Sequence, residues 1–174
     1  MWVWYRMIKV YTSYFYQIRN MRPEDLAFST ALGDPKYFHD FTNDKQYKFI
    51  DKRGVLNGLR AEPFCPRLEL RPEAQCRGST GCPHLLSDLP WYCDFLLEYE
   101  KKLNLLNPQE IEQRFLRVGE SWQNFNNKEM DITYILLVHE APNNPCSERV
   151  MLQRWLKENG FGGEEWQKEI FIKK

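Results

Sequence analysis

The fold of this chain is decided by residues 132–140, which read ITYILLVHE. A nearly continuous apolar run of this length is typical of a strand that is buried on both faces of a sheet. Residues 146–159 follow after a short loop rich in proline and asparagine, and their apolar side chains recur at helical spacing. Gly160 suits the position just after a helix, where a positive φ is favoured. A buried strand that leads into a helix indicates an α/β fold.

The spacing of hydrophobic residues predicts the other regular elements. β-branched and aromatic residues predict strands at residues 8–13 and 26–30. Helical periodicity predicts helices over residues 91–106 and 109–123, separated by Asn107 and Pro108. Strands interleaved with helices are typical of a parallel or mixed sheet flanked by helices.

The domain organisation follows from this pattern. Between residues 34 and 77, prolines and glycines interrupt any period, which indicates a long irregular insertion that contains cysteines. We therefore predict one α/β domain over residues 7–160. Residues 1–6 form an N-terminal extension in this interpretation, and residues 161–174 form a C-terminal tail of uncertain type.

Composition excludes several classes of protein. Of the 174 residues, 43% are hydrophobic and 15% are aromatic, which excludes a disordered chain. The 24 basic and 24 acidic side chains cancel, so attraction to nucleic acid or to a membrane would need a local patch. The first residues contain no apolar run long enough for a signal peptide or a membrane span. We expect a soluble, cytoplasmic protein with no membrane partner.

The candidate active site lies where the strand at residues 132–138 meets the helix predicted from Cys146. The first turn of a helix has unpaired N–H groups and a partial positive charge, which bind anions and lower the pKa of a cysteine. We predict Cys146 as an activated or ligand-binding thiol, Glu140 as acid/base and Arg149 as the group that holds an anion. The neighbouring ligand-binding candidates are Ser147, His139 and Asn144, of which Asn144 can also cap the helix.

A purely structural interpretation of the same residues stays open. In that interpretation Cys146 is a small buried side chain, Glu148 caps its own helix and Arg149 pairs with Glu140. His139 is then a histidine of the core or of a loop.

Four earlier cysteines are candidate ligands of a structural zinc ion. Ten, five and ten residues separate them, with His84 close to the third, and four thiolates or three plus His84 complete a tetrahedral site. Such a site would order a long loop. The alternative is a set of separate buried thiols. The predicted ligands are Cys65, Cys76, Cys82 and Cys93.

Two arginines lie in the turn-rich segment at residues 51–60. Arg53 and Arg60 would form an anion clamp that faces the Cys146 helix, and the alternative is a flexible surface turn. Residues 45–77 carry eight basic and four acidic side chains, a net charge of +4. This face is a candidate nucleic-acid or protein surface, although a solvated mixed surface is the more common outcome.

Three segments carry a resemblance to a known family: KVYTSYF at residues 9–15, GDPKY at 33–37, and residues 137–149, with LVHE and then NPCSER. They resemble the bacterial family known as domain of unknown function 488. That family has Cys-His-Arg at the opening of the last helix, and the present Cys-Ser-Glu-Arg is similar to a subgroup without the histidine. The resemblance implies an α/β fold and a pocket near Cys146 and Arg149, and it implies no particular activity.

Two functional hypotheses follow. The first is an enzyme, or a degenerate enzyme, that binds a phosphorylated or nucleotide-like small molecule at the N-terminus of the Cys146 helix. The second is a zinc-stabilised module that recognises nucleic acid or a protein through residues 45–77. The sequence favours a small anion over nucleic acid and leaves the oligomeric state open.

Overall fold

A computed structural model describes residues 8–38, 49–70, 93–140, 142 and 147–167. These residues form a five-stranded sheet with strand order β3-β2-β4-β1-β5, in which every neighbouring pair is parallel. The predicted α/β fold with a parallel or mixed sheet is confirmed, and among the described strands the sheet is parallel. The strands are β1 (Val10–Tyr14), β2 (Asp25–Ser29), β3 (Leu59–Arg60), β4 (Thr133–Val138) and β5 (Gly162–Glu165).

The central strand is the apolar segment that the sequence singles out. All six residues of β4 are buried, because β2 and β1 flank its edges and side chains pack on both of its faces. Tyr134, Leu136 and Val138 point into one hydrophobic cluster, and Ile135 and Leu137 point into another on the opposite face. A strand covered on both faces needs the unbroken apolar run found here.

Three α-helices pack on the first of these faces. They are α1 (Asp94–Asn104), α2 (Pro108–Asn126) and α3 (Arg149–Glu158). The Asn107 side chain caps α2 by accepting hydrogen bonds from the backbone N–H groups of Gln109 and Glu110. The second face is covered by a 3-10 helix, Phe15–Asn20, together with residues of the following loops.

The structure differs from the sequence predictions at two strands. Strand β3 lies inside the segment predicted as an irregular insertion, and its two residues pair with β2. Strand β5 lies inside the predicted C-terminal tail and pairs with β1, so the sheet continues beyond Gly160. Phe161 and Trp166, on either side of β5, are buried in the core. Residues 1–6 and 168–174 lie outside the described residues.

The start of the last helix also differs. Helix α3 begins at Arg149 with Glu148 as its N-cap, and not at Cys146. Gly160 follows the helix with φ +82°, as its predicted role requires.

Gly119 marks the closest approach of α2 to the sheet. A Cβ atom at this position would overlap the Tyr134 hydroxyl oxygen and lie 3.1 Å from Cζ of the same ring. We expect Gly119→Ala to reduce the free energy of unfolding by about 2 kcal/mol, although the same change in an open helix is stabilising. Urea unfolding measures this cost.

The matched background for this test is Tyr134→Phe, which removes the hydroxyl group. Gly119→Ala should cost clearly less in that background, because the oxygen that obstructs the methyl group is gone. An equal cost in both backgrounds would show that the close contact is not the cause.

Candidate functional site

The sheet has a topological switch point between β4 and β1. The chain leaves β1 for β2 and leaves β4 for β5, in opposite directions along the sheet. The first connection packs on one face through Phe15 and Ile18, and the second packs on the other through α3. In α/β sheets, a crevice opens beyond the carboxyl ends of neighbouring strands whose connections lead to opposite faces, and ligands bind there.

Polar side chains from β1, β4, β5 and the start of α3 converge at this end of the sheet. We call them the carboxyl-end cluster. Its members are Ser13, Glu140, Ser147, Glu148, Arg149 and Glu165. Three of the residues predicted from sequence, Glu140, Ser147 and Arg149, are therefore brought together.

Ser147 connects Glu140 to the helix. Its hydroxyl donates to Glu140 Oε2 at 3.1 Å and accepts a hydrogen bond from the backbone N–H of Arg149 at 3.2 Å. The Ser147 side chain accepts the hydrogen bond of a backbone N–H group in the first turn of the helix. Ser147 therefore has the capping role that the sequence predicts for Asn144. Asn144 itself lies outside the described residues.

Arg149 is buried at the centre of the cluster, with only 4% of its side chain exposed. Its Nη2 donates to the backbone carbonyl of Ser13 at 3.3 Å, and its Nε lies 3.1 Å from Glu165 Oε2. Burial lowers the pKa of Arg149, against the influence of Glu165 and Glu140. The purely structural interpretation of the sequence pairs Arg149 with Glu140, whereas in the structure the ion-pair partner of Arg149 is Glu165.

Four buried polar atoms of the cluster lack hydrogen-bond partners among the described residues: Nη1 and Nε of Arg149, Oγ of Ser13 and Oε1 of Glu165. Because Nε is in an ion pair with Glu165, the donors without any partner in this part of the chain are Nη1 and the Ser13 hydroxyl. A buried guanidinium N–H without a partner is costly and rare in native proteins. The pair therefore marks a place that a polar ligand atom can satisfy.

Two of the carboxyl groups around Arg149, those of Glu148 and Glu165, have raised pKa values. Burial raises the pKa of Glu148 to about 7, and the neighbouring Glu140, with which Glu148 is also hydrogen-bonded, raises it further. Burial likewise raises the pKa of Glu165, although Arg149 and Thr12 act against it. Three carboxyl groups surround one guanidinium, so the cluster is negative when all three are ionised and becomes neutral only when it keeps two protons.

His139 faces away from this cluster. Its Nε2 lies 2.6 Å from the backbone carbonyl of Gly33, and its ring centroid is 5.1 Å from that of Phe15. Since the partner atom is a carbonyl, Nε2 carries the proton and donates. His139 is thus held in the loop layer on the second face of the sheet. Cys146, the predicted thiol, lies outside the described residues.

The two arginines of the predicted clamp are occupied elsewhere. Arg53 donates to the backbone carbonyls of Ile18, Arg19 and Met21 and pairs with Asp51, so it caps the end of the 3-10 helix that precedes β2. That end leads into the amino end of β2, whereas Arg149 lies at the carboxyl end of the sheet. Arg53 is therefore not brought together with the carboxyl-end cluster.

Arg60 ends the edge strand β3, and 5% of its side chain is exposed. It pairs with Asp34 at 2.7 Å and Glu62 at 2.8 Å and donates to the carbonyl of Ala31. Burial lowers the pKa of Arg60, but the hydrogen bonds to Asp34 and Glu62 outweigh burial and raise it. This arginine fastens the loop after β2 to β3.

The zinc prediction falls mostly outside the described residues, because Cys76, Cys82 and His84 lie there. Cys65 and Cys93 are both buried. Burial raises the pKa of Cys65, and its Sγ lies 3.5 Å from the carbonyl of Ala31. Within the described part of the chain, no group of three histidine, cysteine, aspartate or glutamate side chains is placed so that it could hold a metal ion. Structural zinc stays a prediction.

Sequence reasoning missed Ser13, Glu148 and Glu165 as members of the site. Ser13 and Glu165 reach it only because β1 and β5 are paired, and β5 has no strand signal in its sequence Gly-Gly-Glu-Glu. Glu148 could have been predicted from the sequence. It lies at the start of a helix close to Glu140, and two neighbouring carboxyl groups tend to share a proton.

Comparisons with protein-family models, with curated proteins and with solved structures found no match to this chain. The resemblance noted from the sequence thus stays an expectation. In the described part of the chain, no helix has the length and apolar character needed to cross a bilayer.

Proposed function

We propose that the carboxyl-end cluster binds the anionic group of a phosphorylated or nucleotide-like small molecule, and that Glu140 and Glu148 exchange a proton with it. The observation that carries this proposal is the buried Arg149, whose Nη1 lacks a partner among the described residues. An oxyanion at this position would receive a charge-assisted hydrogen bond from Nη1 and a hydrogen bond from the Ser13 hydroxyl.

The charges of the cluster decide how an anion can enter. Glu165 already pairs with Arg149, and Glu140 and Glu148 add negative charge. An anion therefore binds together with a proton, which Glu148 is suited to hold because its pKa is raised to about 7. A carboxyl group that gains and loses a proton near neutral pH is also suited to general acid/base catalysis.

An aromatic surface beside Arg149 favours a ligand with a planar ring. The Tyr14 ring centroid lies 5.8 Å from Arg149 Cζ and 6.4 Å from the nearly parallel ring of Tyr16. Tyr16 is 55% exposed, and Arg19 covers one of its faces. A nucleoside monophosphate could place its phosphate at Arg149 and stack its base along these tyrosines.

The test is a calorimetric titration of the protein with uridine monophosphate, ribose phosphate and inorganic phosphate. We expect Arg149→Met to weaken binding of all three by about tenfold or more, since a buried charge-assisted hydrogen bond is lost. Uridine monophosphate should bind more tightly than ribose phosphate, because only the former carries a base. Binding should take up a proton and weaken between about pH 6 and pH 8.

The matched control is Arg154→Met, which removes a half-buried arginine of the same helix that pairs with Glu100 on α1. It should bind like the wild type, and circular dichroism should show that both variants are folded. Equal affinities of the wild type and folded Arg149→Met would contradict the proposal.

A further inference from the structure

An apolar cavity lies at the opposite edge of the sheet from Arg149. It has a volume of about 400 Å³ and opens between the edge strand β3, the 3-10 helix Glu62–Phe64 and the first half of α2. Since β3 has only two residues, the sheet ends before it has covered this part of α2. The volume falls in the range of sites that bind small molecules.

Rigid aromatic rings form the floor of this cavity. Phe115 contacts Phe28 edge-on at a centroid distance of 5.2 Å and is stacked with Phe64 at 6.4 Å. Ile111 and Val118, one turn to either side of Phe115 on α2, add aliphatic walls. All three rings are buried in the main core, so the cavity has a fixed apolar shape that suits a hydrocarbon chain or ring.

The rim of the cavity is positive. Arg114 and Arg117 lie one turn apart on α2, both are exposed, and neither has an ion pair or hydrogen bond in the described part of the chain. Arg60 also lines the cavity, but its guanidinium is taken by Asp34 and Glu62. Glu62 is in turn held by Arg60 and Arg67. Two free guanidinium groups beside an apolar space match the two parts of an amphipathic anion.

We propose that this cavity binds an amphipathic carboxylate, such as a medium-chain fatty acid, with the apolar chain against Phe28, Phe64 and Phe115 and the carboxylate at Arg114 and Arg117. The site is separate from the carboxyl-end cluster and does not depend on the function proposed for that cluster.

The experiment is a titration of the methyl-labelled protein with decanoate, below its micelle concentration, followed by methyl resonances in NMR spectra. We expect saturable shifts at Ile111 and Val118. The double variant Arg114→Gln/Arg117→Gln should bind decanoate about tenfold more weakly, which corresponds to two partly exposed ion pairs. Decanol, which has no charge, should bind both proteins equally. Val118→Phe should reduce binding of both ligands, because the added ring occupies the cavity.

The matched control is Lys101→Gln/Arg154→Gln, which removes two positive charges from α1 and α3 instead. It should bind decanoate like the wild type, and a loss equal to that of the α2 variant would mean that net charge alone is responsible. Shifts that do not saturate, or that spare Ile111 and Val118, would overturn the proposal. Equal decanoate affinity of the wild type and Arg114→Gln/Arg117→Gln would overturn the carboxylate assignment.

Discussion

Glu148→Gln should remove a large part of the pH dependence of stability. The folded-state pKa of Glu148 is raised to about 7, by burial and then by Glu140, from the ordinary value of 4.5 that describes the unfolded chain. Between these two pH values the unfolded chain has released its proton and the folded chain still holds it. The unfolded state then binds fewer protons, so the free energy of unfolding falls as the pH rises. The contribution of Glu148 is fully present below about pH 4.5 and lost as the pH passes about 7.

The expected size of this effect is about 3 kcal/mol, because each unit of difference in pKa is worth about 1.4 kcal/mol. Urea unfolding at about pH 5 and pH 8 measures it. The stability of Glu148→Gln relative to the wild type should rise by roughly that amount between the two pH values, since glutamine keeps the shape of the side chain and cannot ionise. Glu165 titrates with the same sign and leaves a smaller slope in both proteins.

The matched control for Glu148 is Glu158→Gln at the exposed end of the same helix. It should follow the wild-type pH profile to within about 0.5 kcal/mol. Asp51 and Glu62 have lowered pKa values, so their contributions are lost only as the pH falls into the acid range. A wild-type slope that persists unchanged in Glu148→Gln would show that Glu148 does not hold the proton.

This proton connects stability to the proposed function. If Glu148 supplies the site for the proton that enters with an anion, Glu148→Gln should also remove the pH dependence of uridine monophosphate binding. The Glu148 carboxyl group then accounts for the pH dependence of both stability and ligand binding, which are measured independently. Arg149→Met, in contrast, should reduce binding at every pH, because it removes the donor and not the proton site.

The predictability of this fold from sequence depends on where each element obtains its stability. Strand β4 could be predicted because its continuous run of apolar residues indicates a strand that is buried on both faces. The start of α2 could be predicted because Asn107 and Pro108 are local signals. Strand β5 could not, because Gly162–Glu165 has no strand preference and becomes a strand only by pairing with β1.

The residues of the candidate site also differ in whether local sequence or the tertiary fold brings them together. Glu140, Ser147 and Arg149 could be brought together from sequence, since they follow a strand and begin a helix within one short stretch of chain. The charge partner of Arg149 could not, because Glu165 arrives through β5. Local turn chemistry predicts Arg53 as part of an anion clamp, but its partners in the fold are backbone carbonyls more than thirty residues earlier in the chain.

Gly163→Ala should be among the most damaging single substitutions in this chain. Gly163 has φ +74°, and a Cβ atom there would lie 2.7 Å from the backbone oxygen of Gln153 and 2.9 Å from Cβ of Leu156. Strand β5 thus packs directly on the backbone of α3, which cannot move without disturbing the core around Leu156. Strain from the positive φ and from overpacking add to an expected loss of about 3–4 kcal/mol in the free energy of unfolding. Urea unfolding of the two proteins measures this loss.

The neighbouring Gly162 separates the two sources of strain. It has φ +90°, but a Cβ atom there would have no neighbour within 4 Å. Gly162→Ala should therefore cost only about 1–2 kcal/mol, the cost of the backbone conformation alone. Equal losses in the two variants would show that α3 yields to the added methyl group. If Gly163→Ala loses more stability than Gly162→Ala, the close packing of β5 on α3 stabilises β5. This strand carries Glu165, the ion-pair partner of Arg149. The anion site would then depend on a contact that only glycine allows.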